Sequence, residues 1–210
     1  MPSDIKLYNM DCMEAMKEMP DKSVDWVITD PPYGMNFVSN YRNVKYKPID
    51  GDDKFPLWIF DEFERVARCG AYVFCRWDNL SEIRKPKSFI AWVKNNWSMG
   101  DLKHEHGRQW EGIAFYPYGG HKFKKRIPDV ISIKRTGNNL HPTEKPPCLI
   151  KTLLEANEGS LVLDPFLGSG ATAIACYDMG FDLVGYEIDK DYYEAAVKRL
   201  ENHKRQLQLF

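Results

Sequence analysis

The chain is poor in most of the features that would place it quickly in a class. Lys and Arg number 29 against 30 Asp and Glu, so no excess of one sign marks a polycation or an acidic tail. A surface for a polyanion must therefore come from local clustering of basic side chains. The five cysteines, Cys12, Cys69, Cys75, Cys148 and Cys176, form no CxxC pair and have no histidine at metal-ligand spacing. That scatter excludes a disulfide scaffold and a zinc module, and fits reduced thiols in a cytoplasmic protein. No apolar run approaches the length of a bilayer span, and the amino terminus lacks a basic-then-apolar pattern. A membrane is thus not an expected partner. Repeats and low-complexity tracts are missing as well. What remains is 43% hydrophobic and 28% charged over 210 residues, enough chain for one domain with a sizeable core.

Periodicity and punctuation divide the chain. A short strand at 5–9 leads through Asp11 to a helix at 13–18. The apolar run at 24–29 ends on Asp30-Pro31-Pro32-Tyr33-Gly34. Two prolines stop that strand, because proline cannot donate to a ladder and restricts the residue before it. Residues 35–55 read as a long surface loop rich in Asn, Tyr and Lys, a length that is usually functional. Ile59, Phe63 and Val66 share a helical face, with Gly70 as the expected C-terminal cap. Strands are expected at 71–75, 89–93, 112–116 and 130–133. A helix at 148–156 then precedes a strand at 160–163, a small-residue helix at 171–178, a strand at 182–186 and a last helix capped by Asp189. This alternation implies an α/β fold, an open and mostly parallel sheet with helices on both faces.

Two of these strand ends carry chemistry. Asp164 ends one strand before the turn Gly168-Ser169-Gly170, and Glu187 ends the next. In doubly wound sheets such a turn lets backbone approach a ligand, and an acid about 20 residues on binds ribose hydroxyls. The full GxGxxG spacing is missing and no Walker lysine follows, which favours a nucleoside with a charged amino-acid tail over a pyrophosphate. Asp164 suits the ammonium of such a tail and Lys145 its carboxylate. For the glycines alone, tight helix–sheet packing is the competing explanation. Asp30-Pro31-Pro32-Tyr33 places a carboxylate, a prolyl carbonyl and an aromatic ring at one strand's carboxyl end. That set suits an amino group on an aromatic ring, whose delocalised lone pair makes it a poor nucleophile. The Asp30 carboxylate and Pro31 carbonyl can hold its two hydrogens as charge develops on nitrogen. Tyr33 can stack on the ring, a contact worth about 1–3 kcal/mol in nucleic-acid binders. Taken alone, Pro-Pro-Tyr would read as a strand-ending turn with a packed tyrosine.

Asp30-Pro31-Pro32-Tyr33, His141-Pro142-Thr143-Glu144-Lys145-Pro146 and Asp164-Pro165-Phe166-Leu167-Gly168-Ser169-Gly170 together resemble the amino-methyltransferase family of DNA-modifying enzymes. Their order is that of the permuted, beta class, and the resemblance covers nearly all of the chain except 35–55 and 119–139. It implies a single Rossmann-like, doubly wound catalytic domain over 1–210, circularly permuted, of the S-adenosylmethionine-dependent methyltransferase type. S-adenosylmethionine is then the cofactor and double-stranded DNA the partner. The implied reaction is methyl transfer to adenine N6 of a flipped base, since a stacked base cannot present its amino nitrogen to a pocket. Carried over by position, Asp30, Pro31, Pro32 and Tyr33 are catalytic. Asp11, Thr143, Lys145, Asp164, Phe166, Gly168, Ser169, Gly170 and Glu187 bind the cofactor, although Asp11 by itself also reads as a helix cap. Rival readings are cytosine N4 methylation, for which the family more often has Ser where this chain has Asp30, RNA or protein methylation, and a non-catalytic DNA-binding subunit. Cytosine C5 chemistry needs a cysteine nucleophile, and Pro147-Cys148 reads instead as packing at a helix start.

Two basic segments interleaved with aromatics are expected to meet phosphates. One contains Arg42 and Lys45; the other contains Lys122, Lys124, Lys125 and Arg126, with Lys134 and Arg135 beyond it. Residues 35–55 are accordingly the expected substrate loop and 119–139 a short target-recognition segment. So short a segment reads few base pairs, reads them weakly, or borrows surface from a second copy in a homodimer. A cognate restriction endonuclease is left open as a further partner.

Overall fold

Alternation along the strands sorts the apolar side chains into two cores. On β2 (Val24–Thr29), Trp26 and Ile28 face one core and Val27 the other, the two-residue period of a pleated strand. The computed structural model describes residues 3–35, 51–98, 103–104, 106–119, 121–136 and 144–207. Around β2 the chain forms β1 (Ile5–Asn9), α1 (Cys12–Glu18), α2 (Ile59–Val66), β3 (Ala67–Cys75), β4 (Ser88–Ser98) and β5 (Arg108–Pro117). It continues with β6 (Val130–Ser132), α3 (Pro147–Glu155), β7 (Leu161–Asp164), α4 (Ala171–Met179), β8 (Asp182–Glu187) and α5 (Lys190–Leu207). A 3-10 turn at Trp77–Ser81 follows β3.

The strands make one sheet in the order β1-β8-β7-β2-β3-β5-β4-β6. Strands β1, β8, β7, β2 and β3 run parallel, β5 runs antiparallel to both β3 and β4, and β6 is parallel to β4. Helices α1 and α2 bury Met16, Ile59, Phe60 and Phe63 in one core, while α3, α4 and α5 bury Leu149, Leu153, Ile174 and Leu200 in the other. From the neighbouring strands β7 and β2 the chain therefore departs to opposite faces. The switch opens a crevice at their carboxyl ends, where open α/β sheets bind ligands. Both chemical motifs end there.

The expected doubly wound sheet is present, with two local corrections. Gly70 does not cap α2: Ala67 takes that place and β3 starts at once, so Gly70 lies inside a strand. A Cβ at Gly70 would come within 2.5 Å of the Tyr116 carbonyl oxygen on β5, so the glycine permits close strand approach. Strands β4 and β5 also run well past the predicted spans, because their ladder continues where the apolar alternation stops and Trp97 and Trp110 stand exposed. At the end of the expected surface loop, Asp52 and Phe55 are buried, and residues 36–50 of that loop lie outside the described residues. Among the described residues no helix is long and apolar enough to cross a membrane.

Candidate active site

Thr29, the last residue of β2, donates its hydroxyl to Asp164 Oδ1 at 2.8 Å, which ties the two motif-bearing strand ends together. Asp164 is 3% exposed and also accepts the Phe166 N–H at 3.2 Å. Burial pushes its carboxyl up to about 6, against the pull of hydrogen bonds from Thr172, Thr29 and Phe166. The turn that follows needs glycine, since Gly168 and Gly170 have φ of 52° and 77°. Glu187, at the end of β8, accepts the Gly168 N–H on Oε2 at 2.8 Å and the Asp189 N–H on Oε1 at 2.9 Å. Burial raises its carboxyl too. Arg199 of α5 donates to the Ser169 carbonyl and hydroxyl at 3.0 and 3.1 Å, and pairs with buried Glu144 at 2.8 Å. The segment before α3 is thereby anchored to the glycine turn.

These residues fit an S-adenosylmethionine-like ligand. Among the described residues no cation pairs with Asp164, and a buried acid in that state gains from an incoming ammonium. Asp11 caps α1, accepting the Met13 N–H at 2.7 Å, and stands at the end of β1 beside β8. Phe166 packs partly buried against the α1–α2 core.

On the β2 side both oxygens of the Asp30 carboxylate are engaged. The Tyr33 hydroxyl donates to Oδ1 at 2.5 Å and Lys145 Nζ to Oδ2 at 2.5 Å. Lys145, which the resemblance assigns to the cofactor, thus has its ammonium on the catalytic carboxylate. It is 6% exposed, lies 3.2 Å from Glu111 Oε2, and sits 5.5 and 5.3 Å from the ring centroids of Tyr33 and Phe74. Glu111 in turn pairs with Lys94. Burial raises the Asp30 carboxyl, with Lys145 opposing and Glu111 adding to the rise. Burial works against the charge on Lys145, yet Asp30 and Glu111 together hold its ammonium above the ordinary range. Burial likewise opposes the Glu111 carboxylate, and the two lysines nevertheless bring it below its ordinary value.

The tetrapeptide is clamped from outside the motif. Asn79 donates to the Tyr33 carbonyl at 3.0 Å, and buried Asp52 accepts the Gly34 and Met35 N–H groups at 2.9 and 3.1 Å. Within it Pro31 is buried. Sequence reasoning passed over Glu111, Lys94, Asn79, Asp52 and Arg199. Only Glu111 left a trace: it continues the inward alternation of Phe115 and Ile113 on β5, where a charge is unexpected.

The basic segments separate. Lys134 and Arg135 follow β6 at the carboxyl edge, where the Arg135 N–H donates to Asn95 at 3.2 Å. Lys122, Lys124, Lys125 and Arg126 lie at the other edge. There the Lys124 and Lys125 N–H groups donate to the Ala156 carbonyl at 3.0 and 3.2 Å, and His121 meets the Trp26 ring edge-on at 4.5 Å. Thr143, Arg42 and Lys45 lie outside the described residues. Cys148 is exposed in the first turn of α3, not packed as expected.

A family profile described as DNA methylase matches residues 103–198. A protein of Escherichia coli K12 named as a methylase, YubD, is 31% identical, with 94% of this chain and 91% of that one covered. DNA adenine methyltransferase YhdJ of the same organism is 27% identical over 91% of this chain and 81% of its own. The crystal structure of the M1.HpyAVI–SAM complex superposes with a TM-score of 0.70 at 27% identity, covering 93% of this chain and all (100%) of that one. With the strand ends that bear Asp30 and Asp164 tied through Thr29 at the switch point of the same fold, the chain belongs to the DNA methyltransferase family that methylates adenine N6 or cytosine N4.

Proposed function

We propose that the protein methylates adenine N6 of a base flipped out of duplex DNA. The observation that carries this reading is the Asp30 carboxylate, next to the Pro31 carbonyl, at the crevice shared with Asp164. S-adenosylmethionine, when bound, supplies an electrophilic methyl on its sulfonium. Asp164 holds the ammonium of that cofactor, Glu187 its ribose hydroxyls, and the Gly168–Gly170 turn offers backbone to it. Asp30 and the Pro31 carbonyl accept hydrogen bonds from the two N–H groups of the target amino group. Both acceptors draw the nitrogen toward tetrahedral geometry and stabilise the positive charge that develops on it. Asn79 and Asp52 fix the tetrapeptide so that this geometry exists before the base arrives. A carboxylate at position 30, and the likeness to a relative named as an adenine methyltransferase, favour adenine over cytosine.

Duplex DNA lies against the carboxyl edge of the sheet, with Lys134 and Arg135 on phosphates. Incubation with S-adenosylmethionine and duplex DNA, followed by digestion and separation of nucleosides, tests the reading. N6-methyladenine is the expected product. N4-methylcytosine overturns the choice of base, and no methylated nucleoside overturns the activity.

A further inference from the structure

Lys94, Glu111, Lys145 and Asp30 form an unbroken row of alternating charges that ends at the catalytic carboxylate. The geometry points to Glu111 as a positioning residue for methyl transfer: it draws Lys145 off Asp30 as the target amino group arrives. This inference rests on Asp30 being the acceptor for that amino group.

In the free protein Asp30 Oδ1 is taken by Tyr33 and Oδ2 by Lys145, each at 2.5 Å. An amino hydrogen reaches Oδ2 only after the ammonium yields it. Lys145 is 6% exposed, so water cannot readily take over its charge, and a buried ion stripped of its partner is strongly unfavourable. Glu111 supplies the replacement. Its Oε1 is held by Lys94, while its Oε2 is buried without a well-formed hydrogen bond and faces Lys145 Nζ from 3.2 Å. A short movement of Nζ exchanges one carboxylate for the other. Two cations and two anions make up the row, so the exchange carries no net charge into or out of the crevice. Placement on β5 gives Glu111 a fixed backbone: it is the next inward-facing position after Phe115 and Ile113.

A role limited to satisfying a buried lysine predicts a stability defect without a specific link to chemistry. The test is therefore a double-mutant cycle read by the single-turnover rate on duplex DNA, by S-adenosylmethionine affinity from calorimetry, and by thermal melts. Glu111→Gln is expected to keep cofactor affinity within about twofold while slowing methyl transfer about tenfold to a hundredfold. On a Lys145→Met background the same substitution is expected to change the rate by less than about twofold, since no ammonium remains to be drawn away. If Glu111→Gln does not fold alone, that background still decides, because the Lys145 charge is gone and Lys94 is the cation still beside the amide. A wild-type rate for folded Glu111→Gln, or a full further loss on the Lys145→Met background, overturns the inference. So does a Lys145→Met protein with no measurable rate, which would mean the lysine is required on Asp30 rather than off it. Wild-type protein that methylates no DNA overturns instead the functional reading beneath.

Discussion

Asp30 and Asp164 are both buried acids, but their neighbours give them different tasks. Asp30 has a lysine and a tyrosine on its oxygens, whereas Asp164 has hydroxyl and backbone donors. Replacing Asp30 by Ala removes an acceptor needed as charge develops, so methyl transfer should fall by about a thousandfold or more while cofactor affinity is retained. A mild loss in quenched-flow measurements would show that another group accepts the amino hydrogen. For Asp164 the sign follows from burial. Its carboxyl ionises near 3.8 in an unfolded chain and near 6 in the fold. The stability it contributes is therefore full below the lower value and is lost as pH rises through about 6. A bound ammonium favours the carboxylate and reverses this preference. Affinity for S-adenosylmethionine should climb as pH rises from about 5 to about 7 and then level off. Calorimetry across that range should show the climb vanish in Asp164→Asn.

At the scale of elements, the site depends on contacts that hold turns rather than on the turns alone. Arg199 on α5 grips the Ser169 carbonyl and hydroxyl and neutralises buried Glu144. Arg199→Ala leaves that acid unpaired and loosens the glycine turn, so cofactor affinity should weaken by about tenfold, as for loss of a charge-assisted hydrogen bond. An unchanged dissociation constant would mean that β7 and α4 set the turn without help. Gly70 answers for the join between β3 and β5. A methyl there meets the Tyr116 carbonyl oxygen at 2.5 Å, and backbone must move to admit it. Gly70→Ala should cost about 1–3 kcal/mol in urea unfolding. A smaller cost would mean that the strands separate freely.

For the whole molecule, the sheet has a chemical edge and a bland one. Motif strands end together at the first, with Lys134 and Arg135 beside them, while Lys122, Lys124, Lys125 and Arg126 belong to the second. Duplex DNA that delivers a base to Asp30 must lie on the chemical edge. Lys134→Ala and Arg135→Ala should each weaken DNA binding and lower the salt slope by about one, whereas Lys124→Ala and Lys125→Ala should leave it nearly unchanged. Fluorescence titrations at several salt concentrations check this, and the reverse pattern would move the DNA to the other edge.

Local chemistry is what one strand of residues can announce. Prolines end β2 at Asp30, left-handed glycines mark the turn after β7, and alternating apolar periods reveal strands and helices, because each depends on neighbours within a few positions. The family resemblance followed from those same local motifs. Pairings between distant segments are another matter. That Lys145 rests on Asp30, that Glu111 waits beside it, and that Asn79 and Asp52 clamp the tetrapeptide all depend on strand order and crossovers. A lone Glu or Asn in the chain looks alike whether exposed or buried. Only packing, which removes water and brings charges from remote positions within a few ångströms, decides which of them reach the chemistry.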